Sequence, residues 1–259
     1  MNKEKVTTII RRIILVIAIA VFCYSAYMLI HIYLEYKRAD DIYTNIEHNV
    51  LEDTNDTVII DDTEIELPFV YNHDALLAIN PEGIGYIYIP SIDIRLPLVQ
   101  GPDNDFYLSH TFDKSRSNNG CLFEDCNITD GIASSHVILY GHSIKNGSMF
   151  GQLPKYGDYS FWETEGNSVF YIYTENKLME YKIFSAYVCD PIGDTYNYNF
   201  TTLDAMRSYA SMVKGYSLYD TGVDVSNASQ VVTLSTCTYD GDQRFVVQGV
   251  YVGETTLNN

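Results

Sequence analysis

Three side chains of this sequence have the types and surroundings that thiol acyl-transfer chemistry needs. Cys237 ends the segment Thr-Leu-Ser-Thr-Cys (233–237), Arg244 begins an apolar run, and His142 follows the apolar segment 137–141. A cysteine thiolate is a nucleophile, a histidine transfers protons, and an arginine holds a fixed positive charge that stabilises an oxyanion. This combination predicts an enzyme that forms a covalent acyl intermediate on Cys237.

The surroundings of Cys237 matter because a lone cysteine at a strand end is usually a small buried hydrophobe. An ordinary thiol has a pKa of about 8.5, so Cys237 needs a cationic neighbour, for which His142 and Arg244 are the candidates. His142 also precedes a polar loop, 143–148, which predicts an accessible position at a strand terminus. The other histidines, including His136 at the far end of the same strand, are assigned to packing or to the surface.

Short alternating segments separated by turn residues predict a mainly β domain from about residue 80 onward. Regularly spaced strands of this kind are typical of a barrel or a sandwich. Between residues 203 and 213 apolar side chains recur at helical spacing behind Thr201 or Thr202, which predicts one helix inserted before the cysteine strand. The predicted strands cover residues 85–90, 94–100, 137–140, 169–174, 179–188, 230–234 and 245–252.

Charge is distributed unevenly along the chain. Residues 1–38 hold six basic and two acidic side chains, whereas residues 39–259 hold ten basic and thirty-two acidic ones. Such an acidic body lacks the clustered lysines and arginines that bind phosphates, so nucleic acid is excluded as a partner. Its length is sufficient for one domain with a sizeable core.

An apolar segment near the N-terminus predicts a membrane anchor. Residues 13–34 are almost wholly apolar, and at ~1.5 Å per residue a helix of this length spans the ~30 Å hydrocarbon core. Basic residues before it predict a cytoplasmic tail at 1–12 and a single-pass protein with an extracellular catalytic part. The segment 35–79 is predicted as a juxtamembrane helical and linker region, solvated at 51–57, before the β domain at 80–259. A cleaved signal peptide is the alternative, but its apolar core is usually ~7–15 residues long.

These features together resemble the sortases, most closely those of class B. The resemblance rests on the Thr-Leu-Ser-Thr-Cys motif, the following Arg244, the Tyr-Gly-His-Ser segment at 140–143 and the membrane-spanning N-terminus, and it covers roughly residues 75–252. It implies an eight-stranded β-barrel with N-terminal helices and a long helix before the cysteine strand. It also implies that His142 protonates the leaving amine and that Arg244 holds the substrate carbonyl. No metal or cofactor is expected.

Substrate contacts are implied by the same resemblance. Asn104 and Leu108 match residues that line the peptide groove in class B, and Ser235 and Thr236 directly precede the nucleophile. Tyr198, from the loop before the inserted helix, would complete the groove. An ordinary turn residue is the alternative interpretation of Asn104.

The other cysteines leave the redox state of the chain open. Cys121, Cys126, Cys189 and Cys237 lie outside the apolar segment, and an even number permits disulfides in an oxidising compartment. A bridge between Cys121 and Cys126 is not expected, because residues five apart in a strand point to opposite faces. The sequence has no zinc-binding spacing.

The sequence therefore predicts a membrane-anchored cysteine transpeptidase of the sortase type. Its thiolate would attack the bond after threonine in a C-terminal sorting signal of the LPxTG, PPxTG or NPxTN kind. An amine of peptidoglycan, or of its lipid-linked precursor, would then resolve the thioacyl enzyme. The resemblance implies these partners and a Gram-positive cell surface. Three alternatives remain: a pilus-building sortase, another cysteine acyl-transfer enzyme, and an anchored β-barrel that binds peptides without catalysis.

Overall fold

The computed structural model of the chain describes residues 3–54, 56–238 and 241–257. The ends of the predicted tail and of the predicted β domain, residues 1–2 and 258–259, lie outside this description. The chain forms two compact units, Met1–Asp41 and Ile42–Asn259.

The first unit is built by a single long helix, α1 (Lys3–Val50), whose last turns belong to the second unit. Its apolar part is long and hydrophobic enough to cross a membrane, and its apolar side chains are exposed, which is compatible with a lipid-facing helix. The helix continues without a break past residue 34, where the membrane segment was predicted to end. The division into a tail, an anchor and a juxtamembrane region stays a prediction.

Short strands and a second helix follow α1. Most side chains of the stretch 51–57 are exposed, but Leu67, Phe69 and Tyr71 are buried in the apolar core of the second unit. These three residues alternate along the chain, as residues on one face of a strand do. The stretch from Leu51 to Tyr71 is therefore part of the folded second unit and not a free linker. Its elements are β1 (Leu51–Asp53), which pairs with β4 (Phe69–Tyr71), β2 (Thr57–Ile60), which pairs with β3 (Thr63–Glu66), and α2 (His73–Ile79).

The body of the second unit is a closed barrel of eight strands, as predicted. The strands are β5 (Gly83–Ile89), β6 (Ile94–Gln100), β7 (Leu122–Glu124), β8 (His136–Tyr140), β9 (Val169–Tyr173), β10 (Lys177–Cys189), β11 (Val231–Cys237) and β12 (Arg244–Thr256). Around the barrel their order is β10, β12, β11, β8, β7, β6, β5, β9. The pairs β6–β7 and β8–β11 are parallel and the others are antiparallel.

A helix covers part of the outer face of the barrel. After the single turn α3 (Tyr159–Trp162), α4 (Leu203–Lys214) begins at Thr202, whose hydroxyl accepts a hydrogen bond of 3.2 Å from the Ala205 amide. The apolar side of α4 packs on Val231, whereas the next residue of β11, Val232, belongs to the main core. Neighbouring strand residues point to opposite faces, so α4 lies outside the barrel. The inserted helix is confirmed at the predicted place.

The core holds one carboxyl group that the fold does not pair. Glu124, at the end of β7, is fully buried, and neither of its carboxylate oxygens has a hydrogen-bond partner among the described residues. Burial, and secondly the neighbouring Asp125, raise the pKa of Glu124 to about 8. The folded chain therefore favours the protonated form of this side chain.

Glu124→Gln should change how stability depends on pH. Because the folded-state pKa of Glu124 is raised above its ordinary value of 4.5, its ionisation lowers stability progressively as the pH rises from about 5 to about 8. We expect the free energy of unfolding of the variant to match that of the wild type near pH 5 and to exceed it by roughly 1–4 kcal/mol above pH 8. Denaturant titrations across this pH range measure the difference. A difference that does not change with pH would contradict the assignment.

Candidate active site

The pairing of three barrel strands brings Cys237, His142 and Arg244 to the same end of the barrel. Cys237 is the last residue of β11 and lies directly opposite Arg244, the first residue of β12. β8 runs parallel to β11, with Tyr140 opposite Ser235. Since His142 and Cys237 each lie two residues beyond these partners, they reach the same level at the end of the barrel.

The three side chains line one groove of about 220 Å³. Cys237, His142 and Arg244 are all partly exposed, so the thiol, the imidazole and the guanidinium are accessible from solution. Four of the five predicted substrate contacts line the same groove. The complete lining is Asn104, Leu108, Phe123, Tyr140, Gly141, His142, Pro191, Tyr196, Ser235, Thr236, Cys237 and Arg244.

The loop between β10 and α4 contributes Tyr196 to the groove, where Tyr198 was predicted. Tyr196 ends a short 3-10 turn, and its hydroxyl lies 3.0 Å from the hydroxyl of Ser235. Tyr198 lines a neighbouring polar cavity instead. Alternation and helical spacing do not determine which residue of a turn faces a groove, so sequence reasoning could not choose between the two tyrosines. Phe123, Tyr140 and Pro191 also line the groove and were not predicted. No motif marks Phe123 or Pro191, and the Tyr-Gly-His-Ser segment directed attention to His142 and not to Tyr140.

A carbonyl group fixes the orientation of the His142 ring. Its Nε2 lies 2.7 Å from the carbonyl oxygen of Leu108. Because a carbonyl only accepts hydrogen bonds, Nε2 carries the proton and Nδ1 is the basic nitrogen of the neutral ring. The preceding residue is held as well: the Gly141 amide donates to the Ser235 carbonyl at 3.1 Å, and a Cβ atom at Gly141 would collide with Leu122.

Gly120 packs behind the His142 ring in a backbone conformation that favours glycine. Its φ is +64°, and a Cβ atom there would lie 2.6 Å from the Tyr107 carbonyl oxygen and 3.0 Å from Cδ2 of His142. The Tyr43 hydroxyl donates a hydrogen bond of 2.6 Å to the Gly120 carbonyl. The end of α1 that belongs to the second unit is thereby tied to the backbone that supports His142.

Arg244 lies between two cysteines in the sheet. It pairs with Cys237 on β11 and with Cys189 on β10, and residues directly opposite one another share a face of the sheet. Its Nη1 donates to the carbonyls of Gly241 and Gln243 at 3.2 and 3.0 Å. Burial raises the pKa of Cys189, and the Arg244 charge opposes this only in part. Cys189 is therefore a poor nucleophile at neutral pH.

A buried histidine holds the loop that carries Tyr196. His136 begins β8 and is fully buried, with Nδ1 2.7 Å from the Asn197 carbonyl oxygen and Nε2 2.7 Å from the Thr233 hydroxyl. Burial lowers the pKa of His136 to about 4, so the ring is neutral near pH 7 and donates from Nδ1 to Asn197. His136 thus has a packing and positioning role, outside the groove.

The groove offers the groups that acyl transfer through a thioester requires. Cys237 supplies a free thiol, His142 a basic nitrogen, and Arg244 a fixed charge for a developing oxyanion. Within the described residues no disulfide joins the five cysteines, and no three histidine, cysteine or acidic side chains cluster as metal ligands would.

Gly120→Ala should disturb the groove. Alanine at another glycine with a similar positive φ, but with open space around its Cβ atom, should not. A side chain at positive φ costs roughly 1–3 kcal/mol, and at Gly120 the methyl group would also press on Tyr107 and His142. We expect a loss of stability together with shifted NMR signals of the His142 ring. Gly222, with a φ of +67° and nothing within 4 Å of a Cβ atom, is the matched control. Gly222→Ala should leave the ring signals unchanged, and equal shifts in both variants would contradict the packing described for Gly120.

Comparison with known proteins identifies the family. The Sortase domain model matches residues 87–252. Sortase B of Listeria monocytogenes is 31% identical over 182 residues, which cover 68% of this chain and 72% of the relative. The structure of sortase B from Bacillus anthracis in complex with AAEK1 is similar with a TM-score of 0.72 and 26% identity, covering 86% of this chain and 100% of that one. A Staphylococcus aureus sortase B–substrate complex is similar with a TM-score of 0.63 and 25% identity, covering 70% and 84% of the two chains.

The matched region spans more than half of the chain and contains His142, Cys237 and Arg244. A non-catalytic barrel and a cysteine enzyme of another family, both left open by the sequence, are therefore set aside. The chain belongs to the sortase family of cysteine transpeptidases, and its relatives named here are sortases of class B.

Proposed function

We propose that this sortase is anchored in the membrane by α1, cleaves a C-terminal sorting signal after threonine, and transfers the product to an amine of the cell wall. The observation that carries the proposal is the strand register that places Cys237, His142 and Arg244 around one groove. The length and apolar character of α1 support the anchor. The basic residues that precede the apolar segment support a cytoplasmic N-terminus and an extracellular barrel. The family supports a role in attaching proteins to the cell wall.

In the first half-reaction the Cys237 thiol gives its proton to Nδ1 of His142, and the resulting thiolate attacks the carbonyl carbon of the threonine in the signal. A carbon–sulfur bond forms, negative charge develops on the carbonyl oxygen, and the Arg244 guanidinium stabilises it by hydrogen bonds. The bond between that carbon and the following nitrogen then breaks. His142, protonated on both nitrogens, gives its Nδ1 proton to the departing amine, while Leu108 keeps Nε2 in place.

In the second half-reaction an amine of peptidoglycan, or of its lipid-linked precursor, attacks the thioester. Its nitrogen bonds to the threonine carbonyl carbon, its proton passes to Nδ1 of His142, and Cys237 leaves as a thiolate. The thiolate takes this proton back, and the enzyme returns to its starting protonation state. The reaction exchanges one amide for another, with the wall amine as the second substrate and the amine of the cleaved tail as the leaving group.

One polar side chain of the groove, that of Asn104, is available to a bound peptide. The Asn104 side-chain oxygen accepts a hydrogen bond of 2.8 Å from the Cys126 amide, which leaves the Asn104 amino group free to donate. The Thr236 hydroxyl is buried and has no partner among the described residues. Side chains alternate along β11, so this hydroxyl points to the opposite face from Ser235 and Cys237, and Thr236 would contact a peptide through its main chain. The other proposed contacts are Leu108, Tyr196 and Ser235.

The proposal is tested with the detergent-solubilised chain and fluorogenic peptides of the LPxTG, PPxTG and NPxTN types. We expect cleavage after threonine for one type, with a thioacyl adduct on Cys237 visible by mass spectrometry. Cys237→Ala should abolish cleavage and adduct, and His142→Ala should lower kcat roughly 10²- to 10⁴-fold, because proton transfer to the leaving amine is lost.

Cys189→Ala is the control for the loss of a thiol, since Cys189 is partly buried and outside the groove. It should retain cleavage and the adduct. Failure of all three peptide types to react with a folded wild-type protein, or an adduct on Cys189, would refute the proposal.

Arg244→Lys should separate stabilisation of the transition state from binding of the peptide. Lysine keeps the positive charge but lacks the planar, multi-donor guanidinium. If Arg244 acts on the developing oxyanion, we expect kcat to fall roughly 10- to 100-fold with little change in KM, measured by steady-state cleavage. A higher KM at unchanged kcat would instead identify Arg244 as an anchor for the bound peptide.

A further inference from the structure

A second cavity, of about 200 Å³, lies beside the groove. Its lining comes from the loop after β7, at 127–130, from the loop before α4, at 198–201, and from Ser134 and Ser135 before β8. We refer to it as the polar cavity. It includes Tyr198, which the groove does not use.

Many polar groups of this cavity are not used by the fold. The hydroxyl groups of Thr129, Ser134, Ser135, Tyr198 and Thr201 form no hydrogen bond with other described residues. Hydroxyls both donate and accept, so they can pair with the amides and carbonyls of an extended peptide. The chemistry of the cavity thus suits a polar segment of polypeptide.

The polar cavity and the groove share two stretches of chain. In the loop before α4, Tyr196 lines the groove and Tyr198 lines the polar cavity. In the loop after β7, the Cys126 amide donates to Asn104 of the groove, and the next residue, Asn127, lines the polar cavity. A peptide that leaves the groove between these loops meets the polar cavity next.

The separation of the two sites matches the length of a short peptide. Tyr140 lines the groove and Ser135 lines the polar cavity, and both lie on or next to β8. At ~3.3 Å per residue the five steps between them span about 17 Å. An extended peptide covers this distance in about five residues.

The chain that joins the two sites is acidic. Asp125 accepts a hydrogen bond of 2.9 Å from the Tyr140 hydroxyl of the groove and another of 2.9 Å from the amide of Asn127, which lines the polar cavity. The charges of Asp103 and Asp105 act on the neighbouring Cys126, whose pKa is raised by burial and by these carboxylates. Asp130 lines the polar cavity, and none of the lining residues that the structure describes is a lysine or an arginine. Complementary charge favours a basic segment over an acidic one.

A sorting signal has polypeptide on both sides, and the mechanism treats the two sides differently. The downstream tail leaves after the first half-reaction, whereas the upstream segment stays attached to the enzyme until the wall amine resolves the thioester. We infer that the polar cavity binds the segment directly upstream of the sorting signal and favours polar and basic residues there. The inference rests on the proposed function and adds a determinant of specificity outside the signal itself.

The test compares peptides that share one signal and differ upstream of it. The detergent-solubilised chain receives the bare signal, the signal with a five-residue extension of two serines, one asparagine and two lysines, or the same extension with two glutamates in place of the lysines. We expect the lysine extension to raise kcat/KM roughly three- to twenty-fold through a lower KM, and the glutamate extension to give no gain. High salt should remove most of the difference between the two extensions.

Two variants with the same change of charge locate the effect. Asp130→Lys should abolish the advantage of the lysine extension, whereas Glu165→Lys, at an exposed residue outside the polar cavity, should retain it. An extension without effect on wild-type kinetics, or an equal lysine advantage in both variants, would overturn the inference.

Fluorescence anisotropy of the same peptides on Cys237→Ala separates this inference from the proposed function. Cleavage of the bare signal without any effect of the extension refutes the polar-cavity assignment alone. If no peptide is cleaved, the proposed function fails. The polar-cavity assignment is then decided by binding alone: it stands if the lysine extension tightens binding and Asp130→Lys removes that gain, and it fails otherwise. Glycan fragments that bind in the polar cavity while lysine-extended peptides do not would assign it to the wall polymer and overturn the inference.

Discussion

The register between β8, β11 and β12 is the constraint on which the site depends. Strand side chains alternate between faces, so a slip of one residue in either pair would turn Cys237 or Arg244 away from the groove. His142 and Cys237 line one groove because β8 and β11 are parallel and end at the same level. Parallel neighbours require a long crossover, which β9, β10 and α4 supply here. Closure of the barrel pairs every strand on both sides and leaves this register little freedom.

The loops at this end of the barrel are held by groups from elements distant in sequence. Tyr43 of α1 fixes the backbone at Gly120, behind His142, and His136 fixes the loop that carries Tyr196. Each support is one buried or half-buried hydrogen bond to a carbonyl group. The positions of functional residues on these loops are thus fixed by the barrel. Proton transfer and oxyanion stabilisation both require such fixed positions.

The sequence predicted most of the barrel, because its strands alternate and its turns carry polar residues and glycine. It also identified the inserted helix, whose Thr202 cap and apolar spacing are local signals. Sequence reasoning did not identify the buried face of Leu67, Phe69 and Tyr71, because acidic residues nearby obscure their alternation. It also did not identify Tyr196 as a groove residue, because Tyr196 lies in a turn. The position of Cys189 beside Arg244 had no signal in the sequence, because it depends on pairing between strands far apart in the chain.

The most direct test of this account measures whether positions 142 and 237 are neighbours. His142→Cys is introduced into a chain whose other exposed or partly exposed cysteines are serine, and a bifunctional thiol reagent that fluoresces only when both arms react is added. The register predicts fluorescence and a cross-link to Cys237, and none for His73→Cys, which lies outside the groove. A folded His142→Cys variant that gives no cross-link to Cys237 would contradict the register and the proposed mechanism.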